Sequence, residues 1–338
     1  MLKINKNSSL YKPFILAPYG RSSLWGGTKL KDYFGKDLDV TPLAETWECS
    51  THPAGQSRIV GGRYNGRTLS RHIKRHPKIL GRHVKSKKGQ IPILIKFIDA
   101  KQNLSVQVHP DDEYASKNEN GSLGKTEMWY VVNASKDASL IHGFKRKISK
   151  EQLVKSIENG TIEKYMNRVH VEKNQLFFVP PGTIHAIGAG CLILEIQESS
   201  DLTYRLYDYN RVDKNGKKRT LHVEKALDVV NLNPTKSPKQ PLRLVKYQPG
   251  LAIELLQRCP YFEVYRFLLN TEATKNLTSY TVNGDSFEIW VCYSGCGTIV
   301  CENDNTCINF FKGDSIFIPA NSVPLKIHGH AELLKVNC

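Results

Sequence analysis

Short runs of apolar residues, several alternating with polar ones, recur along most of this chain. "GQSRIVGG", "IPILIKFIDA", "LSVQVHP", "EMWYVVNA", "ASLIHGF", "NQLFFVPPG", "IHAIGAG" and "CLILEIQE" are rich in Val, Ile, Phe and Tyr, and Gly, Pro, Asn or Asp separates them. A period of two sends successive side chains to opposite faces of a strand, and β-branched and aromatic residues favour that geometry. The rhythm predicts an antiparallel sandwich or barrel. One segment breaks it. "SKEQLVKSIENGTIEKYMNRV", residues 149–169, carries Ser149 at an N-cap position and sets Leu153, Ile157 and Ile162 on one side, as a helical insertion would. Placed between strands, it is a candidate lid or side wall.

"NPTKSPKQPL", residues 233–242, holds three prolines and reads as a linker. Beyond it the strand rhythm resumes in "YFEVYRFLLN", "TSYTVN", "SFEIWVCYSG", "GTIVCEN" and "DSIFIPA". The expected organisation is a first domain over 1–232, the linker, and a smaller β domain over 243–338; a chain of 338 residues accommodates two cores. The domains share an echo. "NQLFFVPPGTIH" and "GDSIFIPANSVP" both run apolar strand, proline, tight turn, and Pro324 stands where the first copy has His185. If the two share an ancestor, the second kept the scaffold and dropped a functional histidine.

Composition narrows the class. No apolar run approaches the roughly 20 residues of a membrane span, and the N-terminal stretch lacks a secretory pattern. The eight cysteines are scattered with no CxxC pair, so reduced thiols in the cytoplasm are expected. A net charge of +16 raises nucleic acid as a partner. The densest basic stretch, residues 67–89, has almost no aromatics for stacking bases. Its Leu69, Ile73, Ile79, Leu80 and Val84 suggest short helices with solvated basic sides instead. Positive potential also favours a small anionic substrate.

The candidate chemistry begins at "LSVQVHPDDEY", where strand periodicity puts Ser105, Gln107 and His109 on one face. The same rule groups Lys125, Glu127 and Trp129 in "GKTEMWYVV", and His185 follows the turn "PPG". An amide oxygen, two imidazoles and a carboxylate form a mixed N/O set suited to zinc or a similar divalent ion, with open positions for water or substrate.

Pro180, Gly182 and His185 form a PxGxxH run that resembles the second metal motif of the cupins. With "LSVQVHPDD", "GKTEMWYVV", "PPGTIHAIGAGCLILEIQESSDLTYRLYDY" and "AETWECS", most of residues 10–330 resembles the type I mannose-6-phosphate isomerases in their compact bacterial form. The resemblance implies a mainly β fold: a cupin-type β-sandwich or jelly-roll barrel with a short helical insertion, followed by a smaller, degenerate cupin-like domain without metal ligands. It implies one zinc ion per chain on Gln107, His109, Glu127 and His185. Ser105, Lys96 and Lys125 would contact the substrate, and Arg205, Glu195 and Lys125 would serve catalysis.

The implied reaction interconverts mannose 6-phosphate and fructose 6-phosphate through a cis-enediolate, whose charge on O1 and O2 a divalent cation stabilises. Glu195 is a first candidate for the base, with Lys125, His109 and water at the ion as rivals. Arg205 fits an electrostatic clamp on oxyanions; otherwise it would pair with Asp201 or Asp208. Lys96 could equally be an edge residue of the sheet. Trp25 and Trp47 fit core or pocket-wall roles, and Glu48 could hold a ligand or basic group in place. A non-catalytic cupin that binds a sugar phosphate as a sensor is the alternative. No nucleic-acid or membrane partner is expected, and the oligomeric state is not indicated.

Overall fold

The computed structural model describes residues 9–338 apart from 85, 87, 213, 214, 236–244, 273 and 275, so most of the expected linker lies outside the described residues. Strands Ile93–Asp99 and Cys191–Glu198 are buried at every position. They are neighbours in the middle of a six-stranded sheet ordered Leu176–Val179, Glu127–Ala134, Cys191–Glu198, Ile93–Asp99, Leu43–Cys49, Tyr19–Ser22. One face of that sheet packs Ile95, Phe97, Tyr130 and Leu194 against Val264, Ile289, Tyr293 and Leu334 of the C-terminal part. The opposite face turns Ile98, Trp129, Val131 and Ile193 into a separate core. Lys96, Glu127 and Glu195 share the parity of this second set, so the strands point them into the sandwich. Lys96 is therefore central in the sheet and not at an edge.

A five-stranded sheet closes the sandwich, in the order Tyr204–Tyr207, Val106–Val108, His185–Ile187, Ser139–Phe144, Met166–His170. Its outer residues Val106, Val108, Ile141, Ala186 and Leu206 pack with Leu153, Ile162 and Ala226. The helical insertion is thus a wall behind this sheet. The helix spans Lys150–Glu158 and starts with a full capping box, Ser149 and Gln152 bonding each other's backbone. It is shorter than the pattern over 149–169 suggests. Gly160, at φ 65°, turns the chain, and Met166–His170 forms a strand paired with Ser139–Phe144. The basic stretch holds the short helices Leu69–Arg75 and Pro77–Leu80, with Leu69, Ile73, Ile79 and Leu80 buried.

The C-terminal strands form a second β unit around Phe267, Trp290, Phe310, Ile316 and Leu333. Two strands from the chain's beginning join it: Phe14–Ala17 pairs with Ser315–Ile318, and Arg58–Val60 with Phe14–Ala17. The sheet boundary therefore does not follow the chain order expected from 1–232 and 243–338. The halves are tied by polar bonds as well as by the shared core. Ser315 Oγ donates to Glu48 Oε2 at 2.7 Å, and Lys36 Nζ reaches the same oxygen at 2.8 Å. Tyr261 OH donates to Asp112 Oδ2 at 3.2 Å.

Next to that last bond, burial pushes the Glu198 carboxyl up to about 7, with nearby Asp112 adding to the rise. A carboxyl raised in the fold stabilises most below its unfolded value, near 4.5, and loses that contribution as pH climbs through about 7. Thermal unfolding should therefore show stability falling between about pH 5 and 8, by up to about 3 kcal/mol from this group. Glu198→Gln should flatten the slope. An unchanged slope in that variant would refute the assignment.

Candidate metal centre

His109, Glu127 and His185 come together: one ligand atom from each lies within 4.8 Å of the others, and all three residues are buried. They are the residue directly after Val106–Val108, the first residue of Glu127–Ala134 and the first residue of His185–Ile187. His185 Nε2 is 3.2 Å from Glu127 Oε1 and 3.1 Å from His109 Nε2, and His109 Nε2 is 3.6 Å from Glu127 Oε2. The Nδ1–H of His185 donates to the Thr183 carbonyl at 2.7 Å, which leaves Nε2 free to coordinate. The turn before it makes that bond possible: Gly182 sits at φ 79°, where a Cβ would meet the Val229 carbonyl at 2.8 Å.

The electrostatics suit a cation. Neither Glu127 oxygen accepts a well-directed hydrogen bond although both are fully buried. Burial raises the Glu127 carboxyl above its usual range, with Lys125, 3.1 Å from Oε2, opposing. Burial pushes the His185 imidazole down to about 3, and the His109 imidazole well below its usual value, with Lys125 helping. Neutral imidazoles and a starved carboxylate are the protonation and bonding states a divalent ion requires. Among the described residues this is the one His/Cys/Asp/Glu group with such geometry. The donor set fits the expected metal.

Gln107 completes a row. It is the register partner of His185 on one side and of Arg205 on the other, and His142 pairs with His185 on the far side. Directly opposed residues share a face, so Arg205, Gln107, His185 and His142 line one side of the sandwich. Sequence reasoning missed His142, a lone histidine in the apolar run "ASLIHGF"; its Nε2 bonds the Phe178 carbonyl at 3.0 Å.

A cavity of about 170 Å³ opens beside this row, walled by Ser105, Gln107, Lys125, Lys96, Glu195 and Arg205. All the sequence-named site residues therefore either line it or lie in the adjoining cluster. Arg205 Nε donates to Ser105 Oγ at 3.1 Å and Nη1 to the Thr220 carbonyl at 3.0 Å. It pairs with neither expected aspartate: Asp201 binds Arg21 at 2.9 Å, and Asp208 binds Arg211 and Arg219. Arg21 and Arg219 also line the cavity. Sequence reasoning passed over both, since each sits in a run with no motif.

Glu195 is fully engaged. Lys96 Nζ donates to Oε1 at 3.0 Å and Trp129 Nε1 to Oε2 at 2.9 Å. Burial works against its ionised form, but Lys96 and Lys125 overcome that and hold the carboxyl well below the usual range. Lys96, opposed by burial, is raised mainly by Glu195. Trp25 lines the cavity; Trp47 is buried and donates to Glu45 Oε2 at 2.8 Å. Glu48 lies outside the cavity wall, bound to Lys36 and Ser315.

Comparison with known proteins agrees with this construction. A family profile described as phosphomannose isomerase type I, catalytic domain, matches residues 14–130, and one described as mannose-6-phosphate isomerase, cupin domain, matches 252–338. A mannose-6-phosphate isomerase of Bacillus subtilis is 36% identical over 96% of this chain and 98% of its own length. One from Streptococcus mutans is 35% identical over 96% of this chain and 97% of its own. The crystal structure of a Bacillus subtilis mannose 6-phosphate isomerase superposes with a TM-score of 0.87, at 34% identity, covering 96% of this chain and 99% of that one. A zinc-bound mannose 6-phosphate isomerase shares the fold, with a TM-score of 0.74 at 17% identity, over 96% of this chain and 99% of that one. Together with the cupin-type sandwich and its buried His–Glu–His cluster, these matches place the chain in the type I phosphomannose isomerase family.

Proposed function

We propose that this chain interconverts mannose 6-phosphate and fructose 6-phosphate in a metal-dependent aldose–ketose isomerisation. The observation that carries the reading is the buried Glu127 carboxylate, whose oxygens accept no well-directed hydrogen bond, set between two neutral imidazoles beside a cavity walled by Arg21, Lys96, Lys125, Arg205 and Arg219. A non-catalytic sugar-phosphate sensor would need the cations but has no use for that starved carboxylate.

A single zinc ion held by Gln107, His109, Glu127 and His185 would supply Lewis acidity where enediolate charge builds on O1 and O2. Gln107 in Val106–Val108 and His109 directly after it would supply two of these ligands from one short segment. Arg205 presents guanidinium donors to the same developing oxyanions and keeps its proton throughout. Ser105, bonded to Arg205 Nε, orients it and contacts the substrate. Lys125, Arg21 and Arg219 draw in the phosphorylated sugar. The reduced cysteines expected of the cytoplasm fit a pathway of soluble sugar phosphates.

Glu195 reads better as the anchor of Lys96 than as the proton carrier, because a carboxylate held so far below neutrality accepts a proton poorly. Glu195→Gln should therefore keep turnover within about tenfold, whereas losing the general base costs about 100- to 10,000-fold. A fall of that larger size at unchanged metal content would return proton transfer to Glu195.

The overall reading is tested by metal analysis joined to a coupled isomerase assay. Chelation should abolish turnover, and added zinc should restore it. Full turnover by metal-free protein would overturn the proposal.

A further inference from the structure

The second β unit repeats the strand lattice of the first. Glu288–Cys301 pairs with Ser315–Ile318 as Glu127–Ala134 pairs with Leu176–Val179, and Glu288 opposes Ile318 where Glu127 opposes Val179. The turn after each short strand carries a left-handed residue, Gly182 at φ 79° and Asn321 at φ 55°. Trp290 opposes Lys335 as Trp129 opposes Glu195, and Lys335 opposes Tyr265 as Glu195 opposes Lys96. Register thus equates Glu288 with Glu127, Trp290 with Trp129, Lys335 with Glu195, and Tyr265 with Lys96.

The exchanges remove a cation site. Tyr280 OH donates to both Glu288 oxygens at 3.0 Å, Trp290 Nε1 donates to Oε2 at 2.8 Å, and Lys335 Nζ lies 3.2 Å from Oε1. The carboxylate that would be a ligand is saturated by protein donors, and Pro324 occupies the position of His185. A cleft nevertheless remains at the same mouth. It encloses about 690 Å³ and is lined by Tyr265, Tyr280, Ser286, Glu288, Lys335 and Asn337 among others. That is the size range of small-molecule sites, about 300–1,000 Å³.

We infer that this cleft binds a neutral, polyhydroxylated molecule of monosaccharide size. Each of its wall carboxylates is already ion-paired, Glu263 with Arg258, Asp285 with Arg82 and Glu288 with Lys335, so the wall offers no spare cation to a phosphate. The first cavity is the reverse, with five lysines and arginines against Glu45, Glu195 and Asp201. The Lys335 ammonium is not spare, being held 4.1 Å over the Tyr265 ring and beside Glu288. What remains for a ligand is hydroxyl chemistry. The Tyr265 and Tyr280 hydroxyls each donate inward, to Glu263 and Glu288, leaving their oxygens as acceptors. The Asn337 side-chain oxygen has no donor. Tyrosine rings supply apolar surface for the C–H faces of a sugar.

Calorimetric titration with D-mannitol tests this on the full chain. Wild type and Arg205→Ala should bind it alike, since Arg205 belongs to the other cavity. Thr281→Trp, a change at an exposed rim position of the cleft, should weaken binding at least about tenfold while isomerase activity is unchanged. Tyr265→Ala should weaken it similarly. Mannitol 1-phosphate in excess, free to occupy the first cavity, should leave the mannitol isotherm of Arg205→Ala unchanged. No saturable binding up to about 50 mM, loss of binding in Arg205→Ala, intact binding in a folded Thr281→Trp, or displacement of mannitol by the phosphate would each overturn the inference.

Discussion

His185→Ala is expected to lose metal and isomerase activity together, with turnover down at least about 1,000-fold. His185 is fully buried, its Nε2 faces Glu127 Oε1 at 3.2 Å, and its other nitrogen is committed to the Thr183 carbonyl. Removing the ring takes away one of two imidazoles and leaves His109 and Lys125 as the nearest groups to Glu127. Without the ion, Glu127 lies in a dry site that favours its neutral form, since burial already raises its pKa. Binding a divalent ion there must then also remove a proton, which weakens affinity further below neutrality. Metal per chain and turnover, measured on one preparation, check the outcome; excess zinc should restore little. A variant with normal metal content and normal rate would remove His185 from the centre. Trp129, whose ring lies 5.3 Å from the imidazole, gives a second readout. Its emission should change in His185→Ala while the cooperative unfolding transition persists.

That the four proposed ligands were legible at all follows from strand periodicity. A QxH pair on one strand, a glutamate at a strand start and a histidine after a fixed turn can be read locally, and the structure brings His109, Glu127 and His185 within 4.8 Å. The roles of Lys96 and Glu195 could not be read in the same way. Both lie in strands buried on both faces, so the runs "ILIKF" and "LILEI" show no alternation to reveal which side is the cavity. Only the packing of the second β unit on the far face explains their direction. Glu48 is the converse case. It neighbours the conspicuous Trp47, yet its carboxylate serves Lys36 and Ser315 across the junction of the two halves.

The remaining misreadings concern distance along the chain. Nothing local in "FILA" says that it pairs with Ser315–Ile318, some 300 residues on, or in "RIV" that it then adds to "FILA". Arg21 likewise reaches the cavity through the pairing of its strand with Leu43–Cys49, and Arg219 is held there by its bonds to Asp208. The end of the helical insertion was readable, because Asn159-Gly160 is a stop signal. The repeat of hydrophobic residues beyond it, which instead feed a strand, obscured the signal.

Arg205→Ala should behave differently from His185→Ala: metal content stays normal while kcat falls by about 100- to 1,000-fold. The reason lies in what Arg205 lacks. Arg211 and Arg219 share the one carboxylate of Asp208, and Arg21 pairs with Asp201, but no carboxylate among the described residues pairs with Arg205. Burial and the neighbouring Arg219 both lower its pKa, so the guanidinium sits where a negative charge would relieve it. Ser105 and the Thr220 carbonyl hold it in place without supplying that charge. The substrate's ground state places its formal charge on phosphate, whereas the enediolate adds charge at O1 and O2. A clamp on those oxygens therefore acts mainly in the transition state, and kcat should fall more than KM rises. Arg205→Lys should recover little, because a single ammonium cannot reproduce the forked donors and the bond to Ser105. Added guanidinium should rescue Arg205→Ala in part and leave His185→Ala unchanged. A KM increase with kcat intact would move Arg205 from the reacting oxygens to the phosphate.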